Sequence, residues 1–348
     1  MNISVTKKET TKRTAALFAG ALVIVFVLAS NLSDAQDVRY SQPYSVPLKL
    51  NPALTGANND MAVKLNYRTQ WGAVDKGYST PSFTFLFPLF VNEGKGKLNL
   101  GLLALNDKAG AYSKTDISLS VGYNLKLTDA GHNLSVAVIG GYVMQSLNTS
   151  ELTFDDQYVT GTYDASNPTS ETTLNDNTSY ADMGFGLMYY YNPAKETSMM
   201  NAYFGFSMYH LNKPNESHTD QTGGVPVQQS YQAGIKLMTD QNLDFTPSIN
   251  MISQGGSEEI AAGLYVDYSI GEKMKVTLGG WYRKRTSIAV VLGFRYDMYS
   301  LGYSYDVGTS ELNKAVTGLS THEISLGFNM DMAKKKDLEI NPSPFSAY

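Results

Sequence analysis

Histidines are the residues of this chain that could most readily support chemistry. The chain has four histidines and no cysteine, at positions His132, His210, His218 and His322. None of them occurs at H-x-x-x-H or H-E-x-x-H spacing, so the usual sequence signatures of a zinc site are missing. One alternative remains: the chain could be a serine or histidine hydrolase of the kind found at the rim of some membrane β-barrels. His210 and His322 would then be its candidate residues.

A group of acidic residues offers a second kind of chemistry. Asp155, Asp156 and Asp164 fall in one long connection, and their carboxylates are ligands that Ca²⁺ prefers. A solvated acidic loop explains the same residues and is the reading we favour. The sequence also shows no phosphate loop, dinucleotide fingerprint or kinase signature. We therefore predict a protein that is not an enzyme, with no cofactor and no metal.

An alternation of apolar and polar residues dominates the chain from Met61 to Asp331. Ile117, Leu119 and Val121, for example, are interleaved with small polar residues. A period of two places one face of a strand against an apolar medium and the other against a wet one. The pattern alone fits either a soluble sandwich or a membrane barrel.

The beginning of the chain favours export. Basic residues precede an apolar run at Ala15–Ala29, and Ser33 and Ala35 provide small residues before Gln36. This is the pattern of a cleaved signal peptide over residues 1–35, and the run is short of the roughly 20 residues that a spanning helix needs. An uncleaved inner-membrane anchor is the alternative. The formal net charge of −5, without a basic stretch, argues against a nucleic-acid partner.

The order of strands and connections predicts the architecture. Fourteen strand-like stretches run from Met61–Trp71 to Thr321–Asp331 without a helical interruption. Long connections at 147–179, 212–228 and 307–320 alternate broadly with short ones, as expected when short turns lie in the periplasm and long loops lie outside. Many of the 24 tyrosines fall near strand ends, where their rings would form girdles at the membrane interfaces. We predict an all-β fold, a transmembrane antiparallel up-and-down β-barrel of about 14 strands in the outer membrane.

Several motifs then carry a specific resemblance. The segments YSQ at 40–42, NPALTG at 51–56 and NYRTQW at 66–71 are followed by YHLNKPN at 209–215. GWYR at 280–283, GYSYD at 302–306 and HEIS at 322–325 complete the series. In this order the motifs resemble those of the PorP/SprF family of type IX secretion and gliding-motility outer-membrane proteins. The residues that we take as candidate site residues from these motifs are Asn51, Pro52, Gly56, Arg68, Trp71, His210, Pro214, Tyr282, Arg283, Tyr303, Asp306, His322 and Glu323.

The motif residues have structural explanations first. Asn51 and Pro52 predict a turn ahead of the first strand, because proline fixes its own backbone and restricts its neighbour. We expect Arg68 to point into the lumen and pair with a carboxylate, and Pro214 to end the seventh strand. His322 and Glu323 should lie on opposite faces of the last strand. We favour a folding or plug role for these residues over direct contact with a partner.

The resemblance implies a non-enzymatic component of protein export. Its expected partners are outer-membrane lipid, type IX periplasmic lipoproteins and a large secreted surface adhesin with a type-B C-terminal signal. We expect four regions in the chain: the signal peptide, a periplasmic or plug segment at 36–60, the barrel at 61–331 and a periplasmic tail at 332–348, which does not align with the family pattern. The alternative function is an outer-membrane porin or small-solute channel, because fourteen strands leave room for a pore unless the lumen is filled.

Overall fold

Fourteen antiparallel strands close into one barrel in a computed structural model of the chain. The structure describes residues 37–56, 60–72, 77–91, 96–159, 162–164, 166–167, 169, 175–193, 198–218, 223–239, 241–309 and 320–332. The strands are β1 (Asp60–Gln70), β2 (Tyr78–Val91), β3 (Gly96–Ala109), β4 (Tyr112–Lys126), β5 (His132–Leu147), β6 (Tyr158–Val159), β7 (Thr162–Tyr163), β8 (Asn177–Tyr191), β9 (Met200–Tyr209), β10 (Gln228–Met238), β11 (Leu243–Gln254), β12 (Ser257–Ile270), β13 (Met274–Arg283), β14 (Ser287–Tyr296), β15 (Tyr299–Gly308) and β16 (Ser320–Asp331).

The barrel closes between its first and last strands. β1 pairs with β16 from Asp60↔Asp331 to Gln70↔Thr321, so the sheet has no free edge there. Each barrel strand pairs with the barrel strands that precede and follow it in the sequence. β6 and β7 are not part of the barrel and form a separate hairpin within the connection from β5 to β8. The prediction of an up-and-down barrel of 14 strands is confirmed, whereas the small hairpin was not predicted. Its strands have only two residues each, too few to show a period.

The two faces of the wall follow the alternation in the sequence. In β4, Ile117, Leu119 and Val121 point outward and are 46%, 63% and 46% exposed, whereas Ser118 and Ser120 are buried inside. An apolar outer face suits hydrocarbon and a polar inner face suits a filled or watery lumen. Among the described residues, no helix is long and apolar enough to cross a membrane.

The two ends of the barrel differ. We call the end where β5, β9 and β15 finish the loop rim, because the long connections to β8, β10 and β16 start there. The opposite end, where β1 begins, is the turn rim. Exposed tyrosines lie towards both ends on the outer face, as expected for interfacial girdles. They are Tyr67, Tyr142 and Tyr282 towards the loop rim, and Tyr268, Tyr296 and Tyr299 towards the turn rim.

The lumen is occupied by the chain itself. Residues 37–56, the lumen segment, contain a helix α1 (Pro47–Leu50) between 3-10 turns at Pro43–Ser45 and Pro52–Gly56. Each of these short elements begins with proline, whose fixed φ suits a first helical position and whose missing N–H costs nothing there. The three prolines therefore favour the short helical turns that keep the lumen segment compact inside the barrel.

The direction of the lumen segment is set by its two ends. The backbone N–H of Asp37 donates to Gln254 Oε1 (3.1 Å) at the loop rim. The carbonyl of Ala53 accepts from Ser135 Oγ (2.8 Å), three residues from the turn-rim end of β5. The segment thus crosses the lumen from the loop rim to the turn rim and leads into β1.

Apolar side chains of the lumen segment form the core. Val46 and Leu48 are essentially buried and pack with Leu103, Ile139 and Tyr209 of the wall. On the other side, Tyr44, Leu50, Ala53 and Leu54 cluster with a set of inward aromatic residues, which includes Tyr190, Tyr203, Tyr265 and Trp281. Burying one such leucine stabilises the fold by roughly 1.5–3 kcal/mol, so the segment is a structural part of the barrel.

Candidate functional site

Glu323 receives the amino-terminal half of the lumen segment. Its carboxylate accepts the backbone N–H groups of Ser41 (2.8 Å) and Gln42 (3.1 Å). Asn66 of β1 donates to the same carboxylate at 2.8 Å. Glu323 is 1% exposed, and hydrogen bonds from three donors provide the compensation that a buried carboxylate requires.

Asp306 and Arg283 form a second contact beside the first. Asp306 Oδ2 accepts from Ser41 Oγ and from Arg283 Nη1, both at 2.6 Å. Arg283 Nη2 donates to the carbonyl of Tyr40 at 2.7 Å. Arginine presents donors in a fixed fork, so Arg283 links a wall carboxylate to the backbone of the lumen segment.

Asp37 is the centre of a charged cluster below the loop rim. Its carboxylate lies 3.3 Å from Lys49 Nζ, 3.0 Å from Lys114 Nζ and 3.1 Å from His210 Nε2. His210 Nδ1 lies 3.0 Å from Asp182. The cluster joins the beginning of the lumen segment, its helix α1 and the wall by paired charges, which is how buried charges are tolerated.

Charge pairing sets the protonation of this cluster. Burial raises the pKa of Asp37, but the charges of Lys114 and Lys49 and the hydrogen bond from His210 outweigh burial and hold the pKa well below its usual range. Burial lowers the pKa of His210, but hydrogen bonds to Asp182 and Asp37 outweigh it and raise the pKa to about 9. His210 is therefore protonated at neutral pH, with both ring nitrogens facing carboxylates. It is not placed to accept a proton from a nucleophile.

Asn51 fixes the middle of the lumen segment. Its Nδ2 donates to the carbonyls of Leu187 (3.1 Å) and Phe206 (3.2 Å) and to Gln232 Oε1 (3.1 Å). Its Oδ1 accepts the N–H of Ala53 at 2.9 Å, which starts the turn that Pro52 opens. The side chain therefore serves both the local turn and the wall.

Glycines on the wall and in the segment allow this close approach. A Cβ at Gly56 would lie 2.5 Å from Asn99 Nδ2 and 2.8 Å from Ser135 Oγ. A Cβ at Gly186 would overlap Asn51 Oδ1, and a Cβ at Gly302 would overlap Gln42 Oε1. The absent side chains make room for polar contacts of the segment.

The structure thus brings eight of the thirteen motif residues to one place. Asn51, Pro52 and Gly56 belong to the lumen segment, and Arg68, His210, Arg283, Asp306 and Glu323 face it from the wall. Arg68 lies in register opposite Glu323 on the neighbouring strand and is 7% exposed. These residues form the seat of the lumen segment.

The other five motif residues lie elsewhere. Tyr282, Tyr303 and His322 are exposed on the outer face, where Tyr303 Oη lies 2.9 Å from His322 Nδ1. Trp71, at the loop rim, follows β1 with φ 57°. Its ring packs edge-on against that of Tyr78 at 5.2 Å between centroids.

Pro214 does not end the seventh barrel strand. That strand, β9, ends at Tyr209, because His210 adopts a left-handed φ of 58° that leaves the extended conformation. Pro214 lies five residues beyond the strand end, where its carbonyl accepts the N–H of Val225 (2.8 Å). The prediction that this proline terminates the strand is wrong.

Five charged residues that pair with one another or with His210 around the lumen segment were not identified from the sequence. They are Asp37, Lys49, Lys114, Asp116, which lies 3.5 Å from Lys49 Nζ, and Asp182. Lys114 and Asp116 occupy the same alternate positions of β4 as the inward residues Ser118 and Ser120, so the period of two does place them in the lumen. Their pairing with Asp37 depends on the path of the lumen segment, which no local pattern specifies. The described residues contain no group of three or more acidic or histidine side chains arranged for a metal ion.

Comparisons with known proteins agree with this architecture. The family described as "Type IX secretion system membrane protein PorP/SprF" matches residues 32–328. The chain belongs to the PorP/SprF family. The family and the barrel together place it in the outer membrane. They are the family and fold of secretion components and transporters rather than of enzymes. No curated protein matches the sequence.

Solved structures show the fold alone. The toluene transporter TbuX of Ralstonia pickettii is 10% identical, with a TM-score of 0.51, over 81% of this chain and 92% of that chain. A deletion mutant of the monoaromatic hydrocarbon channel TodX is 9% identical, with a TM-score of 0.51, over 86% and 96% of the two chains. At these identities the similarity supports the barrel architecture of this chain, but it says nothing about a substrate of this chain.

Proposed function

We propose that this PorP/SprF protein is a non-enzymatic docking component of the type IX secretion system. In this proposal the turn rim contacts periplasmic lipoproteins of the machine, and the loop rim supports the secretion and surface attachment of a large adhesin. The observation that carries the proposal is the filled lumen. A wall that commits its inward charges to its own chain is suited to a rigid platform with two rims.

The loop rim offers a defined surface to a partner. The connection from β9 to β10 folds back towards the wall: Val225 packs with Val143 and Tyr180, and Glu216 accepts from Gln145 at 3.2 Å. The two long loops also meet, because the N–H of Asn175 donates to the carbonyl of His218 at 2.7 Å. Within the connection from β5 to β8, the β6–β7 hairpin exposes Tyr158 and Tyr163, and exposed tyrosines are frequent anchors of protein interfaces.

Affinity purification in mild detergent from the native outer membrane tests the proposal. Wild type should recover periplasmic type IX lipoproteins and one large surface protein in mass spectrometry. The double variant Tyr158→Ser/Tyr163→Ser should lose the surface protein but keep the lipoproteins, because it changes the loop rim alone. Tyr142→Ser, which changes an exposed tyrosine on the outer face of the wall, is the matched control and should keep both partners. A wild-type barrel that purifies alone contradicts the docking function.

A small-solute channel is the competing function. The fold similarity to hydrocarbon channels is compatible with it, but the lumen segment occupies the path that a solute would take. Conductance of the purified barrel in a planar bilayer separates the two functions. A steady open pore in the wild-type protein would support the channel and count against the platform.

A further inference from the structure

A cavity opens between the beginning of the lumen segment and the loop-rim ends of β1, β13 and β15. Its volume is about 290 Å³. Arg39 of the lumen segment, Arg68 of β1 and Arg283 of β13 line it, with Trp71 and Tyr78 at its side. We call it the mouth cavity. The volume suffices for a carboxylate or phosphate group with part of the molecule that carries it.

Two of the three arginines have donors to spare. Arg68 is 7% exposed, yet its Nε–H has no hydrogen-bond partner among the described residues. The Nε–H of Arg39 is likewise unpartnered, although its Nη1 donates to Gln228 Oε1 at 2.6 Å. A buried guanidinium donor without an acceptor costs free energy, so a ligand that supplies an acceptor to these two donors would be stabilised, since the described part of the chain supplies none.

Four carboxylates line the cavity beside the arginines, those of Asp37, Asp107, Glu259 and Asp306. Asp37 pairs with Lys49 and Lys114, and Glu259 lies 3.9 Å from Arg283 Nε. Asp306 Oδ1 has no partner among the described residues. Glu323 accepts from Ser41, Gln42 and Asn66. Asp306 Oδ2 holds Arg283 and Ser41, and Asp107 accepts from Thr80 at 2.7 Å. Burial lowers the pKa of Arg39, and the attraction of Glu259 and Asp37 does not offset burial. Among the described residues, no ion pair within 4 Å joins Arg39 or Arg68 to these carboxylates, and the Nε–H of each arginine has no acceptor.

We infer that the mouth cavity is a binding site for an anionic oxygen group, a carboxylate or a phosphate, held by Arg68 and Arg39. Guanidinium groups bind both kinds of oxyanion through charge-assisted hydrogen bonds. The Trp71 and Tyr78 rings would contact the apolar part of the ligand. This site lies inside the mouth of the barrel at the loop rim, and its existence does not depend on the docking function proposed above.

Trp71 reports directly on this cavity. The chain has two tryptophans, and Trp281 is 3% exposed in the core. In the variant Trp281→Phe, Trp71 is therefore the only tryptophan of the chain, and the tryptophan fluorescence comes from this cavity. Titrations at constant ionic strength with sodium phosphate, and with the peptides acetyl-Gly-Glu-Gly-amide and acetyl-Gly-Gln-Gly-amide, distinguish a phosphate source from a carboxylate source.

Saturable changes of Trp71 fluorescence with phosphate, with the glutamate peptide or with both are expected, and none with the glutamine peptide. Arg68→Gln should raise the anion concentration at half-saturation by about tenfold or more, because the variant loses one charge-assisted hydrogen bond. Lys284→Gln removes an exposed charge next to Arg283 and should change nothing. Heat-dependent electrophoretic mobility checks that each variant is folded, and Arg39→Gln replaces Arg68→Gln if that variant does not fold.

Two results would overturn the site. No saturation with either anion would mean that water alone fills the cavity. Equal half-saturation in wild type, Arg68→Gln and Arg39→Gln would mean that the anion binds elsewhere.

Discussion

At the scale of single residues, the barrel is built around polar contacts between its wall and the lumen segment. Glu323, Arg283 and Asn51 each form hydrogen bonds with buried backbone groups of the lumen segment or the wall. Such groups cost about 1–3 kcal/mol each when unpaired. These side chains therefore determine the path of the segment as well as its stability.

Gly186→Ala tests how tightly the segment fits. The added Cβ would overlap Asn51 Oδ1 and lie 2.7 Å from the N of Ala53, so segment or wall must shift. We expect a loss of about 1–3 kcal/mol in the free energy of unfolding, the usual cost of overpacking, measured by urea unfolding in detergent. Gly140→Ala is the control, because its Cβ would meet nothing within 4 Å. Equal stability of the two variants would contradict a close fit.

His210 makes the stability of the seat depend on pH. Its pKa rises from 6.5 to about 9 on folding, so its contribution is fully present below pH 6.5 and is lost as pH rises through 9. The loss is at most about 3 kcal/mol. The pKa of Asp37 is lowered, so its contribution is lost at acidic pH instead. Unfolding measured from pH 6 to 10 should show a decline that His210→Gln abolishes; an unchanged decline in that variant would assign it to other groups.

At the scale of strands, the outer faces are adapted to hydrocarbon. Leu119 lies at the middle of β4 and is 63% exposed, whereas Leu127 lies just beyond the strand and is 51% exposed. Arginine at mid-membrane in a barrel costs about 2–4 kcal/mol, and about 0–1 near the interface.

Leu119→Arg should therefore destabilise the barrel in lipid vesicles by that larger amount, and Leu127→Arg by the smaller one. The free energy of unfolding in guanidinium is the measurement. If both substitutions have the same cost, the strand is not centred in the bilayer as its outer face indicates.

The strand patterns explain which parts were predictable from the sequence. Each barrel strand carries its own period of two, so the number of strands and the inward position of Arg68 follow from local residues. The contact of Ser41 with Glu323 joins residues separated by 282 positions, and no local period encodes such a pair. His210 shows the same limit: a turn conformation ended its strand where the nearby proline had been expected to do so.

At the scale of the whole molecule, the lumen segment decides whether the barrel can act as a pore. A barrel of 14 strands is wide enough for a channel when it is empty, but here helix α1 and two 3-10 turns cross it between the rims. The wild-type protein should therefore conduct few or no ions in a planar bilayer.

Removing the hold on the segment should open the barrel. Asp306→Asn/Glu323→Gln removes two carboxylates from the seat and leaves Arg283 buried without its partner at 2.6 Å, a change that costs about 3–5 kcal/mol. We expect this variant, and a deletion of residues 37–56, to give steps of ion current that wild type lacks. Asp155→Asn/Asp156→Asn removes two carboxylates from an outer loop instead and should remain closed. If the deletion variant is folded and also closed, the barrel is blocked by its own wall, and the lumen segment serves to hold the rims in place.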